Sequence, residues 1–197
     1  MISILDYGAG NLRSVENTLG AIDAEYELLR DADGLRRATK IILPGVGHFG
    51  QMMRAIDDLA VRDALLERLD AGVPFLAICL GLQALFASSD EAPEARGLGI
   101  FPGRIERFSG ELRVPHMGWN SLERVRASRL LEGTGEAPYL YFANSFYAPA
   151  VPEASAICTY EVRFTAVIEH KNICAVQFHP EKSGAVGLKM MSNFVCS

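Results

Sequence analysis

Cys79 stands where an apolar run meets a glycine, in Pro74-Phe75-Leu76-Ala77-Ile78-Cys79-Leu80-Gly81-Leu82-Gln83. The run from Val73 to Ile78 reads as a buried strand. Gly81 permits a sharp turn into a helix that is expected to continue through Leu82, Leu85 and Phe86. A side chain at such an elbow is held out from the sheet, above a helix N-terminus whose unpaired N–H groups favour a thiolate. Far downstream, Phe178-His179-Pro180-Glu181 closes another apolar run. In extended backbone, residues i and i+2 project to one side. Glu181 is therefore expected to hold one imidazole nitrogen of His179 while the other faces Cys79, with Pro180 ending the strand and stiffening the pair. Nucleophile, base and orienting carboxylate are the set that acyl transfer through a thioester requires.

Attack by a thiolate on an acyl carbon creates a negatively charged tetrahedral oxygen. Backbone N–H groups aimed at it are worth about 3–4 kcal/mol of barrier each. Leu80 N–H, just after the nucleophile, is the natural first donor. The second is expected from Pro44-Gly45-Val46-Gly47, at Val46 or Gly47, where glycines let the backbone approach a substrate closely. The plainer reading of that segment is a turn after a buried strand.

Length and composition bound the rest. The chain has 197 residues, 49% hydrophobic and 22% charged. These values suit one domain, residues 1–197, with a substantial core. A formal net charge of −5 leaves no basic excess to neutralise phosphates, which argues against a nucleic-acid binder. No stretch approaches the roughly 20 apolar residues that span a bilayer. The segment Met1-Ile2-Ser3-Ile4-Leu5-Asp6 has no basic leader region, so the cytoplasm is the expected location. Of the four cysteines, Cys79, Cys158, Cys174 and Cys196, none forms a C-x-x-C pair; no metal or cofactor is expected. Cys158 and Cys174 lie in apolar strand-like runs and read as small buried hydrophobes, and Cys196 carries no local signal. Gly8-Ala9-Gly10 lacks the third glycine of a dinucleotide fingerprint, because Arg13 stands there, and reads as a tight turn. His48, His116 and His170 are expected at turns or on the surface.

The elements that must position Cys79 alternate. Ile2 to Leu5, Tyr26 to Leu29 and Lys40 to Leu43 read as strands, and Tyr7 to Gly10 as a turn. Asn11 to Leu19, Gln51 to Ile56 and Val61 to Asp70 read as helices. This rhythm implies an α/β fold with a parallel sheet covered on both faces. From Gly97 to Lys171 short strands and turns dominate, with Tyr139 to Tyr147, Ala156 to Thr159 and Ala166 to Glu169 as strands of a mixed or antiparallel extension. Lys171-Asn172 is a tight hairpin turn into Ile173 to Phe178. Ala185 to Val195 closes the chain as a helix.

Ala77-Ile78-Cys79-Leu80-Gly81 together with His179-Pro180-Glu181 resembles the triad-type, class I glutamine amidotransferases. Further segments narrow the likeness: Asp6-Tyr7-Gly8-Ala9-Gly10-Asn11-Leu12, Pro44-Gly45-Val46-Gly47-His48-Phe49-Gly50, Pro115-His116-Met117-Gly118-Trp119-Asn120 and Gln177-Phe178-His179-Pro180-Glu181-Lys182-Ser183-Gly184. They are similar to the glutaminase subunits of imidazole glycerol phosphate synthase, from end to end. The resemblance implies a flavodoxin-like three-layer α/β/α sandwich and hydrolysis of L-glutamine to glutamate and ammonia. It implies Cys79 as nucleophile, His179 as base and Glu181 as its orienting carboxylate, with Gln83 and Gly47 as substrate contacts. It also implies a partner, a (β/α)₈-barrel cyclase subunit that takes the ammonia and makes imidazole glycerol phosphate and an aminoimidazole carboxamide ribotide. Asn11, Trp119 and Lys182 match positions that face the cyclase; for the single tryptophan, a core role and an interface role are both open. Two residues depart from the family pattern: Ala77 stands where glycine is common, and Asn144 where histidine is. These departures leave room for a paralogue feeding another synthase, such as one acting on surface-polysaccharide sugars. A stand-alone cysteine hydrolase and a non-catalytic binding module are the further alternatives; an intact Cys-His-Glu set argues against the last.

Overall fold

The computed structural model describes residues 1–8 and 11–197; of the expected Tyr7–Gly10 turn, Ala9 and Gly10 lie outside the described residues. Strand and helix alternate first: β1 (Ile2–Leu5), α1 (Leu12–Gly20), β2 (Tyr26–Leu29), α2 (Ala32–Arg37), β3 (Ile41–Leu43), α3 (Phe49–Asp58), α4 (Arg62–Asp70) and β4 (Phe75–Ile78). A single helical turn, α5 (Leu80–Ala84), leads into β5 (Phe86–Ser89) and β6 (Phe101–Arg107). Short strands follow: β7 (His116–Ser121), β8 (Glu123–Arg124), β9 (Tyr139–Asn144) and β10 (Phe146–Tyr147). The chain ends with β11 (Ala154–Tyr160), β12 (Val162–His170), β13 (Ile173–Val176), a 3₁₀ turn (Pro180–Lys182) and α6 (Gly184–Cys196).

The main sheet has the order β2-β1-β3-β4-β13-β12-β11-β8. From β2 to β13 every neighbouring pair is parallel; beyond β13 the pairs are antiparallel. The alternation of side chains along a strand divides the core. Leu5, Ile41, Leu43, Phe75 and Ala77 pack on one face with Phe49, Met53, Ile56 and Leu65 of α3 and α4. Ile2, Ile4, Ile42, Leu76 and Ile78 pack on the other with Val15 and Leu19 of α1 and Met190, Met191 and Phe194 of α6. Because both faces are covered, β3 and β4 are continuous apolar runs without a polar side, and β1 is interrupted only by Ser3. None of the described helices is long and apolar enough to cross a membrane.

Three local expectations change. The helix after Cys79 ends at Ala84, and Phe86 instead opens β5, which pairs in parallel with β6; burial of Phe86 against Phe101, at 5.8 Å between ring centroids, is a non-local gain that local helical spacing does not reveal. The run from Tyr139 to Tyr147 is two strands in different sheets, broken at Ser145. The strand before His179 stops at Val176, and Glu181 lies in the 3₁₀ turn rather than in extended backbone. Helix α2 was not legible as a periodic segment; Asp31 caps it by accepting from Gly34 N–H at 2.7 Å. The Lys171-Asn172 turn joins β12 to β13 as expected, with His170 opposite Ile173.

His116 is neither a turn nor a surface residue. The residue is 4% exposed, and its ring stacks on Phe142 and Tyr160, at centroid distances of 4.8 and 4.0 Å. These aromatic neighbours come from β9 and β11, far away in sequence. His48 instead caps α3, where Nδ1 accepts from Gly50 N–H at 3.1 Å, and His170 is half-buried at the end of β12.

Burial pushes the His116 imidazole down from 6.5 to about 4. Between those values the unfolded chain binds a proton that the folded chain does not, so stability falls as pH falls through this window and stops falling below it. His116→Phe fills the stacked slot without a titrating group. Calorimetry at pH 7 and pH 4.5 is expected to show a smaller loss of melting temperature in the variant than in the wild type; equal losses contradict this.

Candidate active site

The elbow is built by two turns that touch. After β4, Cys79 takes φ 53° and ψ −107°, a region that non-glycine residues enter only at a cost of about 1–3 kcal/mol. The conformation is held from several sides: Cys79 N–H donates to Val176 O at 2.7 Å, and Gln83 N–H to Cys79 O at 3.3 Å. On the neighbouring strand end, Gly45 lies against Leu80 and Gly81, and Gly81 lies against the Leu43 carbonyl; a Cβ on either glycine would collide with these atoms. Ala77 is fully buried in β4 just before the elbow, so its methyl group is accommodated with the elbow formed.

His179 follows β13, the strand beside β4. Its Nδ1 lies 2.7 Å from Glu181 Oε1, and both side chains are almost wholly buried. The 3₁₀ turn brings Glu181 back to the ring, doing the work that extended i, i+2 spacing was expected to do. Burial pulls the His179 imidazole down, but the adjacent Cys79 sulfur and then Glu181 outweigh that and hold the ring well above its ordinary value. These neighbours favour the protonated ring, whose charge Glu181 balances. Cys158 and Cys174 have the opposite character: burial pushes each thiol up to about 12, so they stay protonated and inert. Cys158 is fully buried, Cys174 partly.

Cys79 and His179 open onto a cavity of about 350 Å³ that Val46, Gly47, Leu80, Gln83 and Asn144 also line. The two expected oxyanion donors are not both free. Leu80 N–H donates to Gly45 O at 3.3 Å. Gly47, with φ +102°, is open on its Cβ side. Gln83 is 4% exposed, and its Nε2 gives one hydrogen to Phe146 O at 2.9 Å and the other to Gln177 Oε1 at 3.0 Å; only its carbonyl oxygen remains for a substrate.

The profile of the glutamine amidotransferase class I family matches residues 3–197. The chain belongs to the class I glutamine amidotransferase family. Among curated relatives, the amidotransferase is 48% identical over 196 residues to the imidazole glycerol phosphate synthase subunit HisH of Methanothermobacter thermautotrophicus, covering 99% of this chain and 98% of that one. It is 43% identical over 190 residues to the subunit of the same name from Thermus thermophilus, covering 96% and 93%. Among solved structures, a crystal structure of a glutamine amidotransferase superposes with a TM-score of 0.77 at 19% identity, covering 98% of this chain and 96% of that one. The structure of PurLQS from Thermotoga maritima gives 0.76 at 18% identity, covering 99% and 97%. These two likenesses concern the fold, a class I amidotransferase α/β/α sandwich.

Three groups in or behind the cavity were given no site role by the sequence. Glu91 lines the cavity, with Oε2 accepting from Phe49 N–H at 2.7 Å; it stands in a loop with no periodic signal. Asn144 gives Nδ2 to Phe146 O at 2.9 Å and, among the described residues, leaves a buried Oδ1 without a partner. Gln177 is fully buried and donates to Cys79 Sγ at 3.6 Å; a polar residue inside the apolar Ile173–Phe178 run was the signal. Of the three positions matched to a cyclase-facing surface, Trp119 is 53% exposed on β7 beside Met117, which removes the core alternative. Its ring meets Tyr141 edge-on at 6.1 Å, and Lys182 Nζ lies 5.9 Å from the same Tyr141 ring. Lys182 and Met117 also line the cavity, so this apolar and basic cluster sits at its rim. Asn11 is half-buried at the start of α1.

Proposed function

We propose that this chain is the glutaminase subunit of imidazole glycerol phosphate synthase in histidine biosynthesis, hydrolysing L-glutamine to L-glutamate and ammonia. The observation that carries the reading is a strained cysteine and a carboxylate-held histidine meeting on one cavity, in a chain 48% identical over nearly its whole length to a HisH subunit. Cys79 passes its proton to His179, and the sulfur attacks the side-chain amide carbon of glutamine. His179 then gives a proton to the departing nitrogen, which leaves as ammonia. Water, deprotonated by His179, attacks the γ-glutamyl thioester; glutamate leaves and the proton returns to sulfur. Glu181 holds the ring in the tautomer that points its other nitrogen at sulfur and balances its charge. Free glutamine also carries an α-ammonium and an α-carboxylate, and the cavity offers a carboxylate at Glu91 and an ammonium at Lys182.

Ammonia supplies the case for a partner. In water at neutral pH it is mostly ammonium, which has no lone pair to attack with, so it must be passed on before it meets solvent. The partner in this reading is a (β/α)₈-barrel cyclase forming a heterodimer over the rim that carries Trp119 and Lys182, with Asn11 at its edge; exposed aromatics are favoured anchors. Four unpaired cysteines suit a reducing cytoplasm. Relatives from several organisms carry the HisH name, which favours this acceptor over that of a polysaccharide-sugar paralogue.

The bond from Leu80 N–H to Gly45 O bears on control. The Gly45 carbonyl and the Val46 N–H belong to one peptide plane and point in opposite directions. Turning that plane frees Leu80 N–H and swings Val46 N–H toward the same space, giving the two donors that the tetrahedral oxygen needs. The partner with its nucleotide bound is the agent assigned to this turn.

Two outcomes follow. Cys79→Ala is expected to abolish glutamine-dependent synthesis by the reconstituted complex while leaving ammonium-dependent synthesis within about twofold of wild type; loss of both activities contradicts the assignment. The isolated chain is expected to hydrolyse glutamine weakly, with kcat rising by at least about tenfold, worth ~1.4 kcal/mol, when cyclase and its nucleotide are added. Unchanged hydrolysis at saturating partner and nucleotide contradicts the peptide-turn account.

A further inference from the structure

The sulfur of Cys79 has a hydrogen-bond donor that does not belong to the triad. Helix α5 beneath it is one turn long, so its aligned peptide dipoles are few and the field expected from a long helix is small. Behind the sulfur lies Gln177, fully buried and outside the cavity lining, with Nε2 at 3.6 Å from Sγ. Which end of that amide faces the sulfur is dictated by a chain of partners. Phe146 O can only accept, and it takes hydrogens from both Asn144 Nδ2 and Gln83 Nε2 at 2.9 Å. This fixes the Gln83 amide with its NH₂ toward Phe146. The second hydrogen of the same NH₂ goes to Gln177 Oε1 at 3.0 Å. Turning the Gln177 amide over would set two NH₂ groups against each other and an oxygen against the sulfur. Every link therefore has one sense, from a backbone carbonyl through two buried amides to an N–H aimed at Sγ.

We propose that Gln177 is a further catalytic residue, whose side-chain N–H holds the Cys79 sulfur as an anion when it attacks and again when it leaves the thioester. The inference rests on the glutaminase reading above. It differs from the role of His179 in a physical respect. His179 must gain and lose a proton in each half of the reaction, so its interaction with sulfur is interrupted. An amide N–H keeps its proton throughout and gives a constant donor to the charge. Hydrogen bonds to charged groups are among the stronger ones, and one made to a buried anion is costly to remove. Because Gln177 does not face the cavity, its contribution enters the chemical steps and not the binding of glutamine.

The test uses the full chain with its cyclase, in a Cys196→Ser background so that the exposed cysteine does not react. Two readouts are taken: the rate of iodoacetamide alkylation at Cys79 at neutral pH, mapped by mass spectrometry, and kcat and KM for glutamine. Gln177→Met, close in size and without a donor, is expected to slow alkylation and lower kcat by roughly ten- to a hundredfold, with KM within about twofold. Gln83→Met, which removes a substrate contact together with the donor that orients the Gln177 amide, is expected to raise KM and to slow alkylation by less than Gln177→Met does. Equal alkylation rates in Gln177→Met and the background protein overturn the inference, as does a change confined to KM. A second measurement needs no substitution at 177: the side-chain amide proton resonances of Gln177 are expected to shift upfield when Cys79 is changed to Ala, and unmoved resonances also overturn it. Failure of the glutaminase reading shows separately, as absence of glutamine hydrolysis in the background protein, whereas alkylation reports on the Gln177–sulfur bond regardless of substrate.

Discussion

The contact between two turns, one after β3 and one after β4, is the constraint on which the site depends. Gly45 and Gly81 let the turns meet at backbone distance, with no room for a side chain on either. That closeness has two consequences. It locks Cys79 at positive φ, which lifts the sulfur off the sheet and toward His179 from the adjacent β13. It also sets the Gly45 carbonyl against Leu80 N–H, so the contact that presents Cys79 also occupies a donor that the proposed reaction calls on. Presentation and restraint come from one piece of geometry.

Around this elbow the polar groups are arranged as a buried circuit. In the proposed mechanism, charge that forms on sulfur is met by the His179 ring, which Glu181 holds from its far side at 2.7 Å. Neutral amides fill the remaining space: Gln177 on the sulfur, Gln83 on Gln177, and the Phe146 carbonyl at the end of the line. In surroundings of low polarity each of these bonds is stronger than in water, and an unpaired group there is costly. Among the described residues, buried atoms without partners in the region include Glu181 Oε2 and Asn144 Oδ1. Glu181 Oε2 is the second oxygen of the carboxylate already bound to His179, and Asn144 Oδ1 belongs to a cavity-lining residue.

Much of this was legible from the chain, for reasons that differ by residue. The parallel half of the sheet showed because strands buried on both faces must be continuous apolar runs, as Phe75–Ile78 is. The grouping of Cys79, His179 and Glu181 was legible because Cys79 and Gly81 mark a turn locally and His179 and Glu181 are two residues apart. The hairpin at Lys171-Asn172 showed because two residues suffice to define it. What failed depended on pairing between distant segments. Phe86 left its helical pattern for a strand partner at Phe101. His116 was drawn into the core by Phe142 and Tyr160. The sense of the Gly45–Val46 peptide and of the Gln83 and Gln177 amides is set by hydrogen bonds across the fold, which spacing in the sequence does not encode.

The central claim is that hydrolysis runs through a bond to the Cys79 sulfur. It is tested most directly by titrating the complex with an electrophilic glutamine analogue and comparing residual glutaminase activity with the site and stoichiometry of labelling. The account predicts one label per chain on Cys79, activity lost in proportion to it, and protection by glutamine. Full labelling of Cys79 with hydrolysis intact, or inactivation that tracks a label at another residue, would contradict it.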